Sequence, residues 1–122
     1  MIELTQEFAF DAAHTLEGGI GKNARLHGHS FRAAVSLRGQ PDVARGWLCD
    51  LGEVNAAIGK VRDELDHQFL NDLPGLGRPT LENLSRFIYE RVQKTLPNVV
   101  RVSIYRPSLG QSCIYEPSTG ST

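Results

Sequence analysis

From Phe31 to Arg38 the chain alternates: Phe31, Ala33, Val35 and Leu37 hold the odd positions, while Arg32, Ser36 and Arg38 lie between them. Successive side chains of a β-strand leave opposite faces, so this pattern reads as a strand with one face buried. Just upstream, in the run Arg25-Leu26-His27-Gly28-His29-Ser30, the two histidines carry the odd series backwards. Side chains at i and i+2 point the same way, which puts His27 and His29 together on the apolar side.

The N-terminal segment repeats the pattern from the other direction. Ile2, Leu4, Phe8, Phe10 and Ala12 share even parity, and the next residue of that series is His14. Any one of these histidines alone is accounted for as a core residue bonded to a backbone carbonyl. Three on the inner faces of two neighbouring strands all need partners away from water, and one zinc ion would satisfy all three while keeping a fourth position open. His14, His27 and His29 are therefore the candidate metal ligands, with a donor set that also suits other imidazole-preferring divalent ions.

A chain of 122 residues with 40% hydrophobic and 22% charged residues is expected to form one globular domain, placed at 1–117. Its two cysteines, Cys49 and Cys113, have no CxxC spacing, so a reduced, cytoplasmic protein is the expectation. The early acids Glu3 and Glu7 argue against a signal peptide, and no apolar run approaches the ~20 residues of a membrane span. A net charge of −1 lacks the basic surplus of nucleic-acid binders, so neither nucleic acid nor membrane is expected as a partner.

Strand signals cover 2–13 and about 29–38, joined by a glycine-rich loop from Thr15 to Asn23 that could lie over the metal. Asp50, with Glu53 at the third helical position, is a capping-box start for a helix whose stripe is Leu51, Val54, Ile58, Val61 and Leu65. Thr80 caps a second helix with the stripe Leu84, Phe87, Ile88, Val92 and Leu96, ended by Pro97. Val100, Val102 and Ile104 mark a third strand and Cys113 to Tyr115 a fourth; the tail 118–122 is expected to be disordered. The order ββααββ predicts an α+β fold, an antiparallel sheet with both helices on one face.

Asp66-His67, at the end of the first helix, admits two readings. Histidine is favourable at a helix C-terminus, and a histidine oriented by a carboxylate is also an acid/base pair able to work near neutral pH.

Phe8-x-Phe10-x-Ala12-Ala13-His14, then Arg25 to Phe31 with its His-Gly-His core, then Gly46-Trp47-Leu48-x-Asp50, Leu65-Asp66-His67-Gln68-Phe69-Leu70-Asn71 and Pro79-Thr80-Leu81-Glu82-Asn83-Leu84 run in order along nearly the whole chain. This series resembles the 6-pyruvoyl tetrahydropterin synthase and 6-carboxytetrahydropterin synthase family. The resemblance implies a tunnelling fold, in which ββααββ subunits join in trimeric barrels that stack into a hexamer with active sites between subunits. It also implies zinc on His14, His27 and His29, Asp66-His67 in a proton relay, and a dihydropterin triphosphate whose side-chain hydroxyl the metal acidifies.

Two positions depart from that pattern. The resemblance calls for a general-base cysteine four residues before His27, where this chain has Asn23, which cannot abstract a proton. Glu17, in the glycine-rich loop, could swing over the metal in its stead. A pterin-anchoring glutamate is implied near the end of the third strand, where the register puts Arg106, which has five N–H donors and no acceptor. Arg106 and Thr80 are the candidate substrate contacts, and Arg106 also reads as one half of a structural ion pair with a carboxylate of a neighbouring subunit. Three functions follow: a zinc-dependent lyase acting on a pterin or related phosphorylated heterocycle with an altered base and anchor; the same scaffold acting on a different, anionic substrate held by Arg106; or a non-catalytic assembly subunit that keeps zinc for folding.

Overall fold

The computed structural model describes residues 1–118, apart from the side chain of Asn23. The expectation of a disordered tail therefore lies, from residue 119 onward, outside the described residues. Six main elements follow in the order β1 (Ile2–His14), β2 (His27–Gly39), α1 (Leu51–Leu65), α2 (Leu81–Gln93), β3 (Val99–Arg106) and β4 (Gln111–Tyr115). The strands form one antiparallel sheet in the order β1-β2-β3-β4. The α+β arrangement is the one the sequence predicts, and it leaves β1 and β4 as the two sheet edges.

β1 and β2 pair without a register break from Ile2↔Gly39 to His14↔His27, so even positions of β1 lie beside odd positions of β2. Both apolar series thus reach the same face, where Phe10 stacks on Phe31 with ring centroids 5.0 Å apart. α1 packs over β1, and α2 over β3 and β4, enclosing a core that includes Val54, Val61, Leu65, Leu84, Phe87, Ile88, Val102 and Ile104. The opposite face is polar: Thr5 Oγ1 lies 2.9 Å from Ser36 Oγ, and Arg101 grips Glu3 with bonds of 2.9 and 3.1 Å.

Both helix starts carry the N-cap residues the sequence suggests, though Glu53 closes no capping box with Asp50 among the described residues. Asp50 accepts from the Gly52 N–H at 2.8 Å, and Thr80 Oγ1 from the Asn83 N–H at 3.1 Å, each satisfying a donor of the first turn that has no intrahelical partner. Three expectations need correction. Leu51 belongs to the stripe by spacing, yet it sits in the first turn of α1, beside an open groove shared with Ile2, Leu4 and Trp47, and is 48% exposed. α2 ends at Gln93, before the expected stop at Pro97, although Leu96 is still buried. The third correction comes from a register shift between Ser36 and Leu37, which pairs Leu37 with Val99, so Val99 is buried and Val100 only half-buried. An irregularity of this kind inverts the facing of every residue beyond it, which an alternation rule cannot anticipate.

Leu84→Ala should cost about 2–5 kcal/mol in urea unfolding, because it empties a fully buried site under α2. Leu51→Ala, on the same expected stripe but exposed, should stay within about 0.5 kcal/mol of the parent.

Candidate functional site

The β1–β2 ladder ends by placing His14, the last residue of β1, opposite His27, the first of β2, with His29 opposite Ala12. The three imidazoles form a compact triangle, with ring centroids 4.5, 5.1 and 4.6 Å apart. One ring nitrogen of each lies within 4.8 Å of the others.

Which nitrogens face inward is settled by backbone carbonyls. His14 Nδ1 lies 2.8 Å from the Pro79 carbonyl oxygen, and His27 Nδ1 lies 2.6 Å from that of Arg25. A carbonyl only accepts, so each Nδ1 carries a proton and donates, which leaves Nε2 with its lone pair. The Nε2 atoms of His14 and His27 then face one another at 2.9 Å, acceptor against acceptor, while His29 Nε2 is buried with no hydrogen-bond partner. A divalent cation is the group that resolves all three at once, so this donor set fits zinc. Burial pushes the His14 pKa down, against the pull of the Pro79 carbonyl, with His27 and Arg106 lowering it further. His29 falls to about 4, first through burial and then through Arg106, His14 and His27. Imidazoles kept neutral in this way are in the form that binds metal.

Beside the cluster, the end of α1 is stitched to β1 at Asp11. The Asp11 N–H donates to Asp66 Oδ1 at 2.9 Å, and the His67 N–H donates to the Asp11 carbonyl at 2.6 Å. His67 adopts a left-handed conformation, φ 59°, as the chain leaves the helix, a region that few non-glycine residues occupy. Its Nδ1 lies 2.9 Å from Asp66 Oδ2, and its side chain is 79% exposed. His67 and His29 line the same open cavity of about 500 Å3, together with Asp11, Ser30 and Phe69. The Asp66 carboxyl is held below the ordinary range by the Asp11 N–H first and the His67 hydrogen bond second, with the nearby charge of Arg62 adding to them.

Two contributors escaped the sequence reading. Pro79, buried just before α2, supplies the carbonyl that orients His14; the motif points to its neighbour Thr80, whose hydroxyl is taken up by the helix cap. Asn71 ties down the residue after His14, accepting from the Thr15 N–H at 2.9 Å and donating to the Thr15 carbonyl at 3.0 Å. An amide side chain closing an apolar run was the available signal for Asn71. None marked the Pro79 carbonyl.

The family model described as 6-pyruvoyl tetrahydropterin synthase matches residues 3–118. The chain belongs to that family. Relatives of this pterin synthase homologue include a 6-carboxy-5,6,7,8-tetrahydropterin synthase from Synechocystis, 31% identical over 118 residues and 92% of each chain. A dihydroneopterin monophosphate aldolase from Pyrococcus furiosus is 35% identical over 94 residues, 77% of each chain. The fold matches the solved 6-pyruvoyl tetrahydropterin synthase of Caenorhabditis elegans with a TM-score of 0.85 at 24% identity, over 96% of each chain.

Within this family member, the residues at the two departures are placed as follows. Asn23 lies in a short 3-10 turn, Gly21–Ala24, and its side chain is outside the described residues. Glu17 is exposed and lines a separate cleft with Thr15, Asn71 and Pro79, its carbonyl taken by Arg78, so the fold does not bring it to the histidines. Arg106 ends β3 half-buried, close enough to act electrostatically on His29 and His14.

Asp66→Asn keeps an acceptor for the Asp11 N–H but removes the charge. Because the folded-state pKa of Asp66 is depressed, the stability it adds is present above the unfolded-state value and is lost as pH falls through the folded one. Urea midpoints of parent and variant should therefore differ at neutral pH and converge in strong acid.

Proposed function

We propose that this chain is a metal-dependent lyase of the 6-pyruvoyl tetrahydropterin synthase family, holding zinc on Nε2 of His14, His27 and His29 and acting on a dihydropterin phosphate or related heterocycle. The observation that carries this reading is the pair of backbone carbonyls at Nδ1 of His14 and His27, which leaves their Nε2 atoms facing each other in a cluster whose third member, His29, has a buried, unpartnered Nε2. A divalent ion bound there supplies acidification of a side-chain hydroxyl and polarisation of an adjacent carbonyl. The names of the Synechocystis and Pyrococcus relatives, a pterin synthase and a pterin phosphate aldolase, support lyase chemistry on a pterin side chain.

Proton transfer falls to His67. Asp66 holds its Nδ1, leaving Nε2 to take up or release a proton at the rim of the cavity that His29 also lines. Asp11 and Ser30 furnish the polar wall, Ser30 donating to Asp11 Oδ1 at 2.6 Å, and Phe69 adds an apolar surface for a ring. With asparagine at position 23, this pair is better placed than Glu17 to serve as the base.

Zinc-loaded protein should turn over dihydroneopterin triphosphate or monophosphate, followed by phosphorus NMR for release of triphosphate and by product chromatography for loss of the side chain; no turnover of either beside an active relative overturns the reading. His27→Ala or His29→Ala should drop zinc to well below one ion per subunit by metal analysis, and full occupancy in either variant would remove the site.

Open edges at β1 and β4 invite pairing with other chains, so we further propose a closed ring, with a hexamer of two stacked trimers as its form. Light scattering at micromolar concentration should find no monomer.

A further inference from the structure

Arg106 is a half-buried cation with no ion-pair partner among the described residues. It continues the inward series of Val102 and Ile104, both fully buried, so it leaves the sheet on the side of His27, His29 and Phe31. Its Nε is buried and has no hydrogen-bond partner, and no ion pair of Arg106 occurs among the described residues. The acid whose charge reaches it is Glu82, in the first turn of α2.

A divalent ion on the histidines of that face would be repelled by the guanidinium. A site so electropositive and partly desolvated is completed by an anion. Arginine donates five N–H bonds and accepts none, so the group it meets must be an acceptor, and carboxylate and phosphate match its fork. A heterocycle edge bearing amino and ring N–H groups would set donor against donor.

We propose that Arg106 is a specificity-determining residue of this site, selecting a substrate that carries a carboxylate or phosphate beside the histidine cluster and rejecting one that presents N–H donors there. The proposal deepens the lyase reading, on which it rests for the identity of the site: a dihydropterin phosphate would meet Arg106 through its phosphate and not through its amino edge.

Calorimetry on the full chain, metal-free and zinc-loaded, with inorganic phosphate, glycolate and neopterin as probes, tests it. Wild type should bind one of the two oxyanions more tightly than neopterin, the preferred one identifying the source. Arg106→Gln should weaken that binding by roughly tenfold or more while Arg106→Lys keeps most of it. Arg106→Glu should lose the oxyanion and gain neopterin affinity. Metal analysis of each sample separates the two readings: zinc retained with oxyanion binding lost supports Arg106, whereas a wild type that takes up no zinc fells the metal site and leaves the metal-free arm to decide Arg106. Oxyanion affinity that is absent in wild type or unchanged in Arg106→Gln overturns the proposal, as does tight neopterin binding abolished by Arg106→Glu. Loss of the oligomer by light scattering with unchanged anion binding would instead assign Arg106 to a subunit contact.

Discussion

The unbroken pairing of β1 with β2 is the constraint on which the rest of the structure depends. A single bulge between Phe10↔Phe31 and His14↔His27 would rotate one set of side chains to the polar face and scatter the histidines. The sheet does contain a register shift, but it falls between β2 and β3 at Ser36/Leu37, toward the end of β2 remote from the cluster. The core therefore does two jobs with one ladder: Phe10 and Phe31 fill it, and the next rungs in the same series carry the three imidazoles.

What turns a triangle of histidines into a metal-ready centre is the placing of its protons. The carbonyls of Pro79 and Arg25 each take one Nδ1 hydrogen, so the cluster faces inward with lone pairs only. Pro79 can do this because it precedes α2: its own nitrogen has no hydrogen to satisfy, and Thr80 beside it closes the first turn of the helix. Helix capping and the orientation of the His14 ring are thus coupled through two adjacent residues.

Membership of the 6-pyruvoyl tetrahydropterin synthase family accounts for the scaffold, while Asn23 and Arg106 are where this chain departs from the pattern that its sequence resembles. The departures are not equivalent. Asparagine cannot abstract a proton, whereas an arginine at position 106 adds a positive charge on the sheet face that carries the imidazoles. A change of charge next to a metal alters what can bind before it alters what reacts.

By itself the sequence determined the two-faced sheet, both capped helices and the convergence of His14, His27 and His29, because parity and capping are local rules that backbone geometry enforces within a few residues. It missed the exposure of Leu51 and the facing of Val100, since a helix turn beside an open groove and a register shift are properties of neighbours rather than of the segment. Only the tertiary structure decided which nitrogen of His14 faces inward, because the deciding carbonyl is 65 residues away. The same holds for the placing of His67, through Asp11, in a cavity with His29, and for the Nε of Arg106 lying buried with no hydrogen-bond partner among the described residues, since partners brought from distant segments leave no periodic trace in the chain.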